Sequence, residues 1–102
     1  MRIDVVGRNL EITPAIRRHA ETKGETLTKY FDGLQLLTFR LGKDGHATHG
    51  KFDVELVCDV EKHDDFVSHA AEEDLYIAID HAVQKASRQL TDFKERLKSG
   101  KR

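Results

Sequence analysis

The chain has 102 residues and a net charge of −1, with 34% charged and 38% hydrophobic side chains. That length suits one domain, residues 1–102, around a single core. No apolar run approaches the roughly 18–20 residues of a membrane span, and no N-terminal apolar segment reads as a signal peptide. The lone Cys58 excludes an internal disulfide and favours a reducing, cytoplasmic setting.

The elements follow from periodicity. RIDVVG at 2–7 alternates, with Ile3 and Val5 on one side and Arg2 and Asp4 on the other, which predicts a short half-buried strand. ITPAIRRHAETKGETLTKYF at 12–31 reads as a helix. Thr13 stands where an N-cap hydroxyl is wanted and Pro14 at the first helical position, where its missing N–H costs nothing. Ile16, Ala20, Leu27 and Phe31 make its apolar stripe. Gly24 is a weak point of about 1 kcal/mol relative to Ala, marking a bend or a close approach, and Asp32–Gly33 ends the element.

QLLTFRL at 35–41 puts Leu37, Phe39 and Leu41 on one face of a second strand, and GKDGHATHG is a polar, glycine-rich loop. In KFDVELVCDVE at 51–61, Phe52, Val54, Leu56, Cys58 and Val60 alternate with Asp53, Glu55, Val57, Asp59 and Glu61. The pattern predicts a strand with a core face and an acidic, wet face. FVSHA at 66–70 is a fourth short strand. The last helix starts near Glu72–Asp74, where carboxylates suit the positive end of the helix dipole. Its stripe runs Leu75, Ile79, Ala82, Val83, Ala86, Leu90, Phe93, Leu97. Tyr76 falls at the margin of that stripe, where packing is its expected role.

The order β-α-β-β-β-α predicts an α+β domain: a four-stranded mixed sheet whose first β-α-β joins parallel strands, with two helices packed on one face. The charges are unevenly spread. Residues 52–80 hold ten Asp/Glu against Lys62, whereas residues 81–102 hold seven Lys/Arg against two acids. The expected object is therefore two-sided. Arg17, Lys23 and Lys29 of the first helix and Lys85, Arg88, Lys94 and Lys98 of the second form a basic helical face, opposite a sheet face carrying Asp53, Glu55, Asp59 and Glu61.

Other chemistries find little support. His46, His49, His63, His69 and Cys58 lack the tight spacing of a structural zinc site, and Cys58 sits on the apolar side of its strand, so no metal or other cofactor is expected. Glu72, Glu73 and Asp74 are explained by helix capping. There is no phosphate-binding glycine loop, nucleophile elbow or Cys–His pair, so the chain is not expected to be an enzyme.

Four pieces in order, EITPAIR at 11–17, KYFD at 29–32, EDLYIAID at 73–80 and RQL at 88–90, give a chain that resembles the short ribosome hibernation promoting factors and the related ribosome-associated inhibitor over essentially its whole length. The resemblance implies the same β-α-β-β-β-α fold. It implies binding to the 30S subunit of the 70S ribosome, in the channel used by messenger and transfer RNA, with storage of inactive ribosomes in stationary phase or stress and no catalysis. The family's basic, RNA-binding positions match at Arg17, Lys23, Lys29, Lys85, Arg88, Lys94, Arg96 and Lys98. Thr26 and Asp92 stand where relatives carry bases, and Gly24 replaces a usual apolar residue. The implied partner is 16S rRNA, and the acidic sheet face is expected either to point away from the RNA or to meet basic ribosomal proteins. Folded RNA is read largely through shape and phosphate, which a rigid Lys/Arg face suits. The rival expectation is a regulatory module that binds a protein through its acidic sheet face, without RNA.

Overall fold

The computed structural model describes residues 1–43 and 51–99. His46 and His49, most of the glycine-rich loop, and Lys101–Arg102 lie outside the described residues. The elements are β1 (Arg2–Arg8), α1 (Pro14–Glu25) followed by a 3₁₀ turn (Thr26–Lys29), β2 (Leu34–Lys43), β3 (Phe52–Val60), β4 (Phe66–Glu72) and α2 (Leu75–Ser99). The strands form one sheet in the order β1-β2-β3-β4. β1 and β2 run parallel, and the other neighbours run antiparallel. This is the α+β architecture expected from the sequence.

Helix α1 starts as its sequence dictates. The Thr13 hydroxyl accepts a hydrogen bond from the Ile16 N–H at 3.2 Å, and Pro14 follows. It ends earlier than the apolar stripe predicts. The Thr26 and Thr28 hydroxyls donate to the carbonyls of Lys23 (2.6 Å) and Glu25 (2.8 Å), and side chains that bond the preceding turn compete with the regular α ladder. The tighter turn still buries Leu27 completely. Gly24 marks a close approach to side chains. A Cβ there would stand 3.1 Å from Leu37, 3.2 Å from Phe39 and 3.3 Å from Ile3, so glycine lets α1 lie low on β1 and β2.

Asp74 caps α2, its carboxylate accepting from the N–H groups of Tyr76 (2.8 Å) and Ile77 (3.4 Å). The core is one cluster between helices and sheet. Leu37, Phe39 and Leu41 of β2, Leu56 and Cys58 of β3, and Ile79, Ala82, Ala86 and Leu90 of α2 are fully enclosed. Each large side chain contributes roughly 1.5–3 kcal/mol. Burial raises the Cys58 thiol to about 12, with Asp65 adding to the shift. One buried polar group ties the layers: the Ser68 hydroxyl of β4 donates to the Ala82 carbonyl of α2 at 2.8 Å. A bulge between Leu34 and Leu36 turns both Leu34 and Leu37 inward.

Two expectations need correction. Leu97, on the core stripe of α2, is 52% exposed. Phe93 is the last buried residue, packed with Phe31, Phe66 and His63 at the end of the two layers, and the helix continues past the body it covers. The outer sheet face is also not uniformly acidic. Register places Val6, Arg40, Glu55 and His69 in one cross-strand row. Arg40 donates to Glu55 at 2.9 Å, His69 Nε2 lies 3.2 Å from the other Glu55 oxygen, and Arg8 donates to Asp53 at 3.3 Å. The hydrogen bond from Arg40, supported by His69, holds the Glu55 carboxyl below its ordinary value. The period of β3 alone does not reveal that β1 and β2 bring arginines to the same face.

Candidate nucleic-acid interface

The helices are fastened at one point near their N-terminal ends. His19 Nε2 of α1 lies 2.7 Å from Asp80 Oδ1 of α2, and the His19 ring meets Tyr76 edge-on at 5.0 Å. Tyr76 thus has the packing role expected of it, although it remains 40% exposed. Below this contact the helices line a groove of about 230 Å³ formed by Lys23, Thr26, Tyr30, Asp80, Gln84 and their neighbours.

This geometry sorts the eight expected bases by flank. Lys23 is half-buried in the interhelical groove, and Lys29 is exposed at the end of the 3₁₀ turn. On α2, Arg88 lies one turn beyond the groove residue Gln84. Lys94 lies two turns beyond Ser87, also in the groove, and Lys98 one turn further. Arg88, Lys94 and Lys98 are exposed and have no ion-pair partner among the described residues. These five bases share the side of the molecule where α1 and α2 meet and its continuation past Phe93.

The other three fall elsewhere. Lys85, Gln89 and Arg96 recur at four- and seven-residue steps on the opposite flank of α2, along the free edge of β4. There the Lys85 ammonium donates to the His69 carbonyl at 2.6 Å, and the Gln89 amide donates to the Val67 carbonyl at 3.0 Å. Arg96 stands with Asp92, Glu95 and Lys98 on the projecting part of α2. Arg17 shares its flank of α1 with Glu21, four residues on, which faces Met1 and Ile3 of the β1 side, away from α2. The basic helical face is therefore split into one row of five and two outlying flanks.

Sequence reasoning passed over Arg18, exposed on the outer surface of α1, and the groove groups Tyr30, Gln84 and Ser87. Arg18 was legible as an exposed base two residues past Ile16. The groove groups were not, because they meet only once two helices are packed. Among the described residues no group of three or more His, Cys, Asp and Glu is placed to hold a metal ion. No described helix is long and apolar enough to cross a membrane.

The fold and surface define a class, a two-layer β-α-β-β-β-α domain that gathers unpaired bases along its paired helices. Within that class the chain belongs to the Sigma 54 modulation protein / S30EA ribosomal protein family, whose model matches residues 3–98. Its curated relatives carry the name ribosome hibernation promoting factor. The protein of that name from Escherichia coli strain K12 is 35% identical over 98 residues, covering 96% of this chain and 98% of the relative. The ribosome hibernation promotion factor of Lactococcus lactis is 30% identical over 98 residues, covering 95% of this chain and 51% of that longer relative. Among solved structures, the N-terminal domain of Thermus thermophilus Protein Y superposes with a TM-score of 0.80 at 35% identity, covering 91% of this chain and 99% of that one. A ribosomal subunit interface protein from Coxiella burnetii superposes with a TM-score of 0.82 at 21% identity, a likeness of fold.

Proposed function

We propose that this protein is a cytoplasmic inhibitor of translation that binds the small (30S) ribosomal subunit and stores ribosomes in an inactive form during stationary phase or stress. It acts by occlusion rather than catalysis. The folded domain occupies the channel for messenger and transfer RNA, held through the phosphates of 16S rRNA. The observation that carries this reading is the row of exposed bases Arg88, Lys94 and Lys98, without an ion-pair partner among the described residues, which continues from the helix pair onto the exposed end of α2 past Phe93. The names of its relatives supply the ribosome as the polyanion. The rival reading, a protein-binding module using an acidic sheet face, has less support, because Arg8, Arg40 and His69 stand against two of its four acids, Asp53 and Glu55.

The test is co-sedimentation with purified 30S subunits and 70S ribosomes at low and moderate salt. Each phosphate neutralised lowers the logarithm of the affinity by roughly 0.7–0.9 per decade of salt, so pelleting at low salt and a steep loss at moderate salt are expected. Messenger and transfer RNA loaded beforehand should prevent pelleting, and reversing Arg88, Lys94 and Lys98 to Glu together should abolish it. Salt-insensitive pelleting, or a triple variant that pellets as the parent does, would overturn the reading.

A further inference from the structure

The end of the domain where α1 and α2 begin, away from Lys94 and Lys98, carries a second surface. There Leu10, Ile16, Phe52, Leu75 and Tyr76 line an apolar pocket of about 530 Å³. Two exposed carboxylates, Glu11 and Glu73, stand on its rim, and neither has an ion-pair partner among the described residues. Two helix starts would ordinarily favour an anion here. Both are already capped from within, α1 by Thr13 and α2 by the Asp74 carboxylate, which is itself part of the pocket wall. The neighbouring Glu72 is engaged with His81 at 2.8 Å. One base approaches from β2: the Lys43 ammonium lies 4.9 Å from the centre of the Phe52 ring. The site therefore joins an apolar floor to a negative rim.

We propose that this pocket docks a cationic peptide segment bearing one aliphatic anchor, the chemistry of a Lys/Arg-rich protein tail. The anchor side chain enters between Ile16, Phe52 and Tyr76, and the flanking bases reach Glu11 and Glu73. Exposed ion pairs contribute little individually, so burial of the anchor supplies affinity while the rim selects cationic over acidic segments. The inference is independent of the ribosome reading, because the surface lies at the other end of α2 from Lys94 and Lys98 and includes none of the bases on which that reading rests.

The probe is an amidated pentapeptide with a central Leu between two Lys and two Arg, titrated into the isotopically labelled protein while amide and methyl signals are followed by NMR. Signals of Leu10, Ile16, Phe52 and Tyr76 should move together, and the Glu11→Lys/Glu73→Lys double variant should weaken binding by about tenfold or more. A peptide with Gly in place of Leu should lose the response of the pocket side chains. Both rim residues are exposed, so the unfolding temperature of the variant serves as the control for folding. The proposal is overturned if the pocket signals stay still or if the Gly peptide binds equally well. It is also overturned if concentrating the protein alone produces the same shifts, which would make a second copy the occupant. A short RNA oligonucleotide that moved the pocket signals as strongly as the peptide would overturn it too.

Discussion

Lys85 reaches from α2 to the edge of the sheet and donates its ammonium to the His69 carbonyl at 2.6 Å, one turn before Gln89 does the same for Val67. An edge strand offers unpaired backbone groups to any passing chain, and natural proteins blunt such edges with charges, above all lysine. Lys85 thus satisfies the edge of β4 in the free protein. Lys85→Ala should lower stability by about 1 kcal/mol and raise self-association, read by thermal unfolding and by light scattering across a concentration series. Its effect on ribosome pelleting should be smaller than that of Lys94→Glu. A Lys85→Ala variant that stays monomeric at every concentration, with unchanged stability, would show that the edge needs no guard.

Among the described residues Ser68 is the one buried polar residue in an otherwise apolar core, and its hydroxyl donates to the Ala82 carbonyl. Removing it in Ser68→Ala takes away a hydrogen bond worth about 1 kcal/mol. For a domain of this size that is roughly a 4–8 °C drop in melting temperature, which calorimetry would measure directly.

Gly24 sets the height of α1 above the sheet. Gly24→Ala gains about 1 kcal/mol of helix propensity, set against contacts of 3.1–3.3 Å with three core side chains, and should come out near neutral. Gly24→Leu has no space for its branch and should cost about 1–3 kcal/mol through overpacking. Denaturant midpoints for the two variants, compared at equal slope, separate these outcomes.

Glu55 titrates below its ordinary value of 4.5, chiefly because Arg40 donates to it, with His69 adding to the effect. A carboxyl whose folded value lies below its unfolded one stabilises the protein at pH above the unfolded value. That stability is lost as pH falls through the folded value. The parent should therefore be more stable than Glu55→Gln at pH 7, and the difference should shrink below pH 4.5 and vanish in stronger acid. Melting temperatures of both proteins across pH 3–7 would show whether the curves converge.

Cys58 is enclosed between sheet and helices and its thiol is raised to about 12. At pH 8 only about one molecule in ten thousand carries the thiolate, the reactive form. A thiol reagent should leave the native protein unlabelled and label it only as denaturant unfolds the core. Rapid labelling without denaturant would mean that β3 opens locally.

The strands and helices were legible because each buries one face and so repeats at its own period. Val54, Leu56 and Cys58 announce β3, and Leu75, Ile79, Ala82 and Ala86 announce α2. What periodicity lacks is any knowledge of neighbours. It places Leu97 on the apolar stripe but cannot tell that the sheet has already ended under Phe93. It separates Lys85 and Lys94 from the core, yet whether each looks toward α1 or toward the edge of β4 depends on where that helix lies. The acidic appearance of β3 is lost for the same reason, since Arg8 and Arg40 come from other strands. The shortening of α1 turns on two threonine hydroxyls whose backbone bonds no hydrophobic pattern records.

Glu73 and the capping Asp74 stand just before helix α2, and Lys94 and Lys98 lie near its end. At 1.5 Å per residue Asp74 and Lys94 are about 30 Å apart. A particle of net charge −1 feels almost no pull toward a polyanion at a distance. A particle with its charges separated along a rigid rod feels a torque instead. Within a few screening lengths, each about 8–10 Å in physiological salt, the field of the polyanion turns the rod until its positive pole leads. The protein can thus stay nearly isoelectric and free of indiscriminate adhesion in the bulk, and still arrive at a charged surface with its orientation already chosen.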